Sequence, residues 1–158
     1  MSRPKGTITR LARQALAIRN STRCSLEAHY LQRSDLSDVV AVTAKAGEFV
    51  LIPPGYGHVT INAGKEELVM ANLVSAGFAS EYTFYERMQG GAYYLMEEGR
   101  WMQNPRYPAV PAMRVIPAGK VPELGIRHGG EIYGMVSGRE EPLYLNFPKG
   151  IPEYLYQM

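Results

Sequence analysis

This sequence has one cysteine, no long hydrophobic run and no recognisable secretory signal. One cysteine, Cys24, in 158 residues cannot form an internal disulfide bond, which fits a reducing compartment such as the cytoplasm. No run approaches the length of a transmembrane helix, and no apolar signal core stands near the N-terminus. Basic residues are not interleaved with aromatic ones, as a nucleic-acid-binding stripe would require. We therefore expect a cytoplasmic protein with neither a membrane nor a nucleic-acid partner.

Acidic residues are missing from the first 26 positions, although six basic ones occur there. Without those six, eleven basic and fifteen acidic residues remain, so the body of the chain has a net charge of −4 although the whole chain has +2. We interpret residues 1–25 as an atypical basic segment outside the folded barrel, with a weak helix over Leu11–Ile18. A transit peptide, a basic arm and a solvated basic tail all fit this composition.

From Leu26 onward the sequence is typical of a turn-rich β domain, with eleven tyrosines, sixteen glycines and eleven prolines in the whole chain. Short apolar or alternating segments separated by turn residues predict eight strands. They are Glu27–Gln32, Val39–Thr43, Phe49–Ile52, His58–Asn62, Leu68–Val74, Ala92–Met96, Arg100–Gln103 and Met113–Ile116. No helix pattern stands between them, so we expect an all-β, antiparallel sandwich or barrel.

The stretch GEFVLIPPGYGHVTIN, residues 47–62, carries the most specific pattern in the chain. A proline follows Gly47 after five residues, and Gly55, His58 and Asn62 follow at the spacing of the second cupin motif. The Pro-Pro-Gly run ends one strand in a rigid turn, and His58 begins the next. Because strand side chains alternate, His58 and Thr60 share a face and point into the lumen of a closed barrel. A lone histidine hydrogen-bonded at a strand corner is the simpler alternative.

On these residues, 26–107 resemble the cupin-type glucose-6-phosphate isomerases and their bacterial relatives. The acid-tyrosine pair Glu81-Tyr82 and the run Asn104-Pro105-Arg106-Tyr107 extend the resemblance. It implies a cupin double-stranded β-helix, that is, a jelly-roll barrel, over residues 26–107. The remaining residues 108–158 form a C-terminal extension that we expect to pack on the barrel or on a partner subunit. The resemblance also makes a homodimer the natural expectation.

In that family, one divalent metal is held by three histidines and a glutamate, and an aldose is converted to a ketose. The resemblance thus implies glucose 6-phosphate and fructose 6-phosphate as substrates, in glycolysis and gluconeogenesis. It implies Fe²⁺ as the metal, with Mn²⁺, Zn²⁺ and Ni²⁺ as alternatives, and His58 as one ligand. Moving a proton between neighbouring carbons needs a base and a group that stabilises the enediolate oxygens.

The first cupin motif, which supplies the other two histidines and the glutamate, is missing from the chain. Only His29 and His128 remain, neither in a His-x-His pair, and we interpret His29 as a structural strand residue and His128 as solvated. Residues 6–26 can, however, be back-translated so that an overlapping frame reads HYHPAGPAGSGYPEFYEVLS and then glycine. Because this is a first cupin motif, we hypothesise a frameshift; a genuine basic arm is the alternative.

Three further residues are candidates for contacts with substrate. Tyr82 and Glu81 occupy the acid-tyrosine position, where a phenol can contact sugar hydroxyls or phosphate, and Thr60 faces the same way as His58. Asn62 is expected to cap the following turn instead. With one recognisable metal ligand in the written chain, the sequence leaves two functions open. One is a metal-dependent sugar-phosphate isomerase, inactive if the ligands are truly absent, and the other is a non-catalytic cupin that binds a small ligand or has a structural role.

Overall fold

The computed structural model describes residues 16–20, 27–65, 67–74 and 81–119, and strands dominate this part of the chain. The strands are β1 Leu16–Asn20, β2 Glu27–Arg33, β3 Val39–Ala44, β4 Phe49–Ile52, β5 Tyr56–Asn62, β6 Met70–Leu73, β7 Tyr93–Leu95, β8 Trp101–Gln103 and β9 Arg114–Pro117. One short helix, α1 Thr83–Met88, lies between β6 and β7. The all-β class predicted from the sequence is confirmed. Within these ranges, no helix is long and apolar enough to cross a membrane.

The strands form a four-stranded sheet in the order β5-β2-β3-β9, a three-stranded sheet in the order β4-β1-β6, and the pair β7-β8. All neighbours are antiparallel except β3 and β9, which run parallel. The contact between β3 and β9 joins the C-terminal extension to the main sheet, because β9 begins at Arg114. Positions 120–158 of that extension lie outside the described residues.

The four-stranded sheet buries one face, here called the inner face, against the strand β4 of the three-stranded sheet. Leu31 of β2 and the alternating β3 residues Val40, Val42 and Ala44 form one apolar cluster with Val50 and Ile52 of β4. Six of these side chains are at most 7% exposed. Full burial of a valine, leucine or isoleucine side chain stabilises a fold by about 1.5–3 kcal/mol. The inner face is therefore a continuous aliphatic core between two sheets.

The opposite face of the four-stranded sheet, here called the outer face, is covered by α1 and the β7-β8 pair. Tyr30 of β2 and Val59 and Ile61 of β5 pack there with Tyr85 of α1. Gly57 of β5 makes room for Tyr85, since a Cβ at this glycine would stand 2.8 Å from the Tyr85 Cζ atom. The strand β5 thus separates its apolar outer residues from the polar side chains that alternate with them.

A buried hydrogen-bond network fixes this covering layer to the sheet. The Gln32 side-chain oxygen accepts from the Tyr30 hydroxyl at 2.6 Å and from the Ala92 backbone N–H at 2.8 Å. The Gln32 amide nitrogen donates to the Tyr107 hydroxyl at 3.4 Å, and that hydroxyl donates to the Gly90 carbonyl at 2.9 Å. Because a buried polar group without a hydrogen-bond partner costs free energy, these bonds favour a single position of the covering layer on the sheet.

The eight predicted strands all exist, with boundaries within one or two residues, and five of the nine observed strands begin or end at a predicted residue. Two predictions were wrong. The expected absence of helices fails at α1, Thr83–Met88. The weak helix over Leu11–Ile18 fails for Leu16–Ile18, which lie in β1, paired with both β4 and β6. Hydrogen bonds on both edges of β1 outweigh a weak helix propensity. The rest of the basic segment lies outside the described residues.

Candidate metal and ligand site

The Pro-Pro-Gly turn places His58 near the start of β5. Gly55 has φ +82°, a left-handed conformation that glycine adopts without steric cost, and the Tyr56 N–H donates to the Pro53 carbonyl at 3.3 Å. The chain then enters β5, of which His58 is the third residue. The His58 side chain is 3% exposed. The local sequence thus delivers one imidazole into the interior at a fixed point.

The register between β2 and β5 decides which side chains surround this imidazole. His58 lies directly opposite Leu31, and Thr60 lies directly opposite His29. Residues opposite each other in an antiparallel pair project from the same face, and Leu31 belongs to the inner-face cluster. His58, Thr60 and His29 therefore all project from the inner face, and the two histidines are diagonal neighbours.

His29 is a buried polar residue in an aliphatic surrounding. Its side chain is 0% exposed, and its Nδ1 atom shares a hydrogen bond of 3.2 Å with the Thr60 hydroxyl. Its other ring nitrogen, Nε2, is buried and has no hydrogen-bond partner among the described residues. In metal-binding proteins, one ring nitrogen of a histidine ligand usually makes a hydrogen bond while the other binds the metal.

Electrostatics keep His29 neutral at physiological pH. Burial, and to a smaller extent the neighbouring His58, together lower the pKa of His29 from 6.5 to about 4. A neutral imidazole retains a lone pair, whereas imidazolium has none. The site is thus suited to binding a Lewis acid or a hydrogen-bond donor.

The remaining polar residues of β5 have separate roles. Thr60 is partly buried and bonds His29, as described above. The Asn62 side-chain oxygen accepts from the Gly64 N–H at 3.0 Å, which is the turn-capping role expected from the sequence.

Glu81 and Tyr82 lie immediately before α1, and the Tyr82 side chain is 36% exposed. The helix that they precede packs through Tyr85 on the outer face, the opposite side of the sheet from His58. Contacts of Glu81 and Tyr82 with substrate stay a prediction.

The residues at this site supply fewer metal donors than the resemblance implies. No group of three or more His, Cys, Asp or Glu side chains placed to hold a metal ion occurs among residues 27–65, 67–74 and 81–119. Two imidazoles, those of His29 and His58, come together, where the resemblance implies three histidines and a glutamate. The described residues therefore do not complete a four-ligand site. His128 and the segment 6–15 lie outside the described part of the chain.

A comparison with protein families decides the assignment of this fold and motif. The family model "Glucose-6-phosphate isomerase (GPI)" matches residues 26–112, which is more than half of the 158 residues. The chain belongs to the cupin-type glucose-6-phosphate isomerase family. A search of curated proteins finds no match to the chain.

Within this isomerase family domain, the Asn-Pro-Arg-aromatic run has a structural role that its position in the sequence did not reveal. Asn104 is 0% exposed, and its amide nitrogen donates to the carbonyls of Met88 and Gly91, each at 2.9 Å. Its side-chain oxygen accepts from the Arg106 N–H at 3.0 Å. This asparagine ties the end of α1 to the strand pair β7-β8, so the run belongs to the covering layer of the isomerase domain.

The sequence did not predict that His29 lies beside His58. We interpreted it as structural because nothing in Glu27-Ala28-His29-Tyr30-Leu31 resembles a ligand motif. The alternation along that segment already separates His29 and Leu31 from Tyr30. The pairing of β2 with β5 brings His29 close to His58. Local sequence does not show this pairing or its register, because the two strands are far apart in the chain.

Proposed function

We propose that this protein is a sugar-phosphate isomerase of the cupin type, acting on glucose 6-phosphate and fructose 6-phosphate. One divalent metal, Fe²⁺ before Mn²⁺, Zn²⁺ or Ni²⁺, is the cofactor of this proposal, and His58 is its ligand from the second cupin motif. The observation that carries the proposal is the family match over residues 26–112, together with the burial of His58 on the inner face.

The ligands that the described residues lack are the ones that the alternative reading frame would supply. Its translation, HYHPAGPAGSGYPEFYEVLSG, contains a His-x-His pair and glutamates, and it would replace residues 6–26 without a change of length. In this proposal the isomerase activity belongs to the chain with the restored motif. Thr60, Glu81 and Tyr82 of the written chain then contact the hydroxyls or the phosphate of the substrate.

Two purified proteins test this proposal, the written chain and a chain in which residues 6–26 are replaced by the alternative sequence. Conversion of fructose 6-phosphate is followed by coupling glucose 6-phosphate to a dehydrogenase, after loading each protein with Fe²⁺ or Mn²⁺. We expect activity in the restored chain and background rates in the written one. The same restored chain carrying His58→Ala is the matched control and should be inactive. A folded, metal-loaded restored chain without activity contradicts the proposal.

A second candidate function is a non-catalytic cupin that binds a small ligand. The observation that favours it is that the described residues bring together two imidazoles and contain no group of three or more metal donors. Titration calorimetry of the written chain with fructose 6-phosphate separates the candidates, since a non-catalytic binding module binds the sugar phosphate without converting it. Nucleotide sequencing across the codons for residues 6–26 tests the frame directly.

We also propose a cytoplasmic homodimer, without nucleic-acid or membrane partners. The single cysteine, Cys24, supports the compartment, and the family resemblance supports the dimer. Light scattering on the purified protein measures its mass, for which 17.6 kDa is the monomer value. A mass that stays at the monomer value across the concentration range contradicts the dimer.

A further inference from the structure

The strand β6 presents an apolar edge at the surface of the molecule. It ends the sheet β4-β1-β6, and on the side away from β1, here called the β6 edge, no partner strand occurs among the described residues. Six large apolar side chains of the described residues are exposed, and three of them lie on or directly beside this strand. They are Val69, Met70 and Val74, with exposed fractions of 51%, 36% and 37%. Exposed apolar side chains that are gathered in one place mark an interaction surface, whereas scattered ones do not.

The β6 edge lacks the residues that normally keep a strand edge from pairing. Charged side chains and prolines protect the edges of natural sheets. Residues 68–74, LVMANLV, contain neither. By contrast, the edge strand β9 of the other sheet ends with Pro117, and the edge strand β4 runs directly into Pro53 and Pro54. The β6 edge is therefore suited to pairing with a strand from a partner.

A second copy of this chain fits the uncharged character of this edge. Beyond residue 26 the chain has eleven basic and fifteen acidic residues, so two copies repel each other through their charged surfaces. Like charges directly opposite each other destabilise a strand pair, and residues 68–74 bring none together. The nearest acid, Glu67, precedes this stretch, so antiparallel pairing of two copies places the two Glu67 side chains at opposite ends. The edge offers no charge that a basic or acidic partner strand could pair with.

Symmetry restricts how two identical strands can pair. Hydrogen-bonded and non-hydrogen-bonded residue pairs alternate along an antiparallel ladder, so neighbouring pairs are never equivalent. The two-fold axis of a dimer must therefore pass through one residue pair, in which a residue lies opposite its own copy. Ala71 is the middle residue of 68–74 and has the smallest side chain in that stretch. An axis at Ala71 overlaps the whole uncharged stretch and places Met70 opposite Asn72 of the second copy.

We propose that this protein forms a homodimer through the β6 edge, with the two β6 strands antiparallel and Ala71 on the two-fold axis. The interface rests on the proposed function only for the existence of a homodimer, which it locates on the molecule. The two three-stranded sheets then form one continuous sheet in the order β4-β1-β6-β6-β1-β4. Because each copy uses its β6 edge once, the assembly closes at two subunits, and β4, followed by Pro53, stands at both ends of the sheet.

Charge substitutions at the partly exposed Ala71 test the interface and its register. Two lysines or two glutamates opposite each other repel, whereas a lysine opposite a glutamate attracts. We expect Ala71→Lys and Ala71→Glu each to raise the dissociation constant of the dimer by about 100-fold in sedimentation equilibrium. An equimolar mixture of the two variants should form a dimer within about 10-fold of the wild-type dissociation constant. The matched control is Met102→Lys, which adds the same charge at a residue 40% exposed on β8 and should leave the dimer unchanged.

A cysteine at the same position gives a second readout. Residues directly opposite each other in an antiparallel pair have Cα atoms about 4.5–5.5 Å apart, which a disulfide bond can span. In a chain carrying Cys24→Ser, Ala71→Cys should therefore oxidise to a covalent dimer that runs above the 17.6 kDa monomer on a non-reducing gel. Val115→Cys in the same background, at an exposed residue of β9, should stay monomeric on that gel. Circular dichroism establishes that each variant is folded.

The possible failures give different patterns. A wild-type dimer that is unchanged in both folded charge variants places the interface elsewhere, so the proposed homodimer stands and the inference fails. Folded charge variants that stay dissociated when mixed contradict an axis at Ala71. A wild-type chain that stays monomeric overturns the homodimer and the inference together, as it would if another segment of the same chain covered the β6 edge. A restored chain without isomerase activity contradicts the proposed catalysis and leaves the dimer of the written chain intact.

Discussion

Replacing Gln32 by leucine should destabilise the fold far more than replacing a glutamine nearby at the surface. The change leaves the buried Ala92 N–H and the Tyr30 hydroxyl without the oxygen that accepts from both, at 2.8 and 2.6 Å. Each orphaned buried donor costs about 1–3 kcal/mol, while the apolar surface that leucine adds returns about 1–2 kcal/mol. We therefore expect the free energy of unfolding to fall by about 3 kcal/mol, a large share of the roughly 5–15 kcal/mol typical of a domain.

The assay is urea unfolding followed by the fluorescence of Trp101, the single tryptophan of the chain. Its ring centroid lies 6.0 Å from that of Tyr30, so the signal reports on the same layer. Gln103→Leu is the matched control, because the Gln103 side chain is exposed and makes one long hydrogen bond of 3.5 Å. We expect the control to change stability by about 0.5 kcal/mol or less. If Gln32→Leu shifts the urea midpoint no further than Gln103→Leu, the reasoning is refuted.

Three further perturbations have expected outcomes. The metal-free protein should lose about 3 kcal/mol of stability as the pH falls from about 6.5 to 4. In this range the unfolded chain binds a proton at His29, whereas the folded chain does not, because folding lowers the pKa of His29 to about 4. Gly57→Ala should destabilise by about 1–3 kcal/mol, since the new Cβ meets the Tyr85 ring, 2.8 Å from Cζ. Arg114→Ala should cost about 1 kcal/mol or less, because its pair with Asp38, at 2.6 Å, is partly exposed.

Each of these has its own check by chemical denaturation. For the pH effect, unfolding is measured at several pH values with a chelator present, and His29→Gln should flatten the slope in that window; an unchanged slope assigns it to other groups. For Gly57→Ala, a stability equal to wild type would mean that the tyrosine ring moves aside freely. For Arg114→Ala, a loss of several kcal/mol would show that the ion pair carries more than a partly exposed pair normally does, and added salt should shrink the small effect that we expect.

Local sequence patterns were sufficient for most strands but not for the neighbours of His58. Turn residues such as Pro53 and Gly55 and the period-two alternation fix where β4 and β5 lie and which way His58 points. The helix α1 was missed because six residues are too few to show a helical period. The strand β1 was missed because it is stabilised by pairing with β4 and β6, which local composition does not encode. The position of His29 beside His58 was not predicted for the same reason, since it depends on the β2-β5 register.

The parallel pairing of β9 with β3 means that the folded domain extends further along the chain than the segment that matches the family model. Recognition of the family ends at residue 112, whereas β9 begins at Arg114 and closes the hydrogen-bonding edge of β3, with Ala118 N–H donating to the Thr43 carbonyl at 2.8 Å. A chain cut where the similarity stops would leave that edge open to strands of other molecules, which is how sheet proteins begin to aggregate. When this domain is expressed alone, its C-terminal end should therefore lie beyond β9, so that the hydrogen bonds between β3 and β9 are kept, and not at residue 112, where the family match ends.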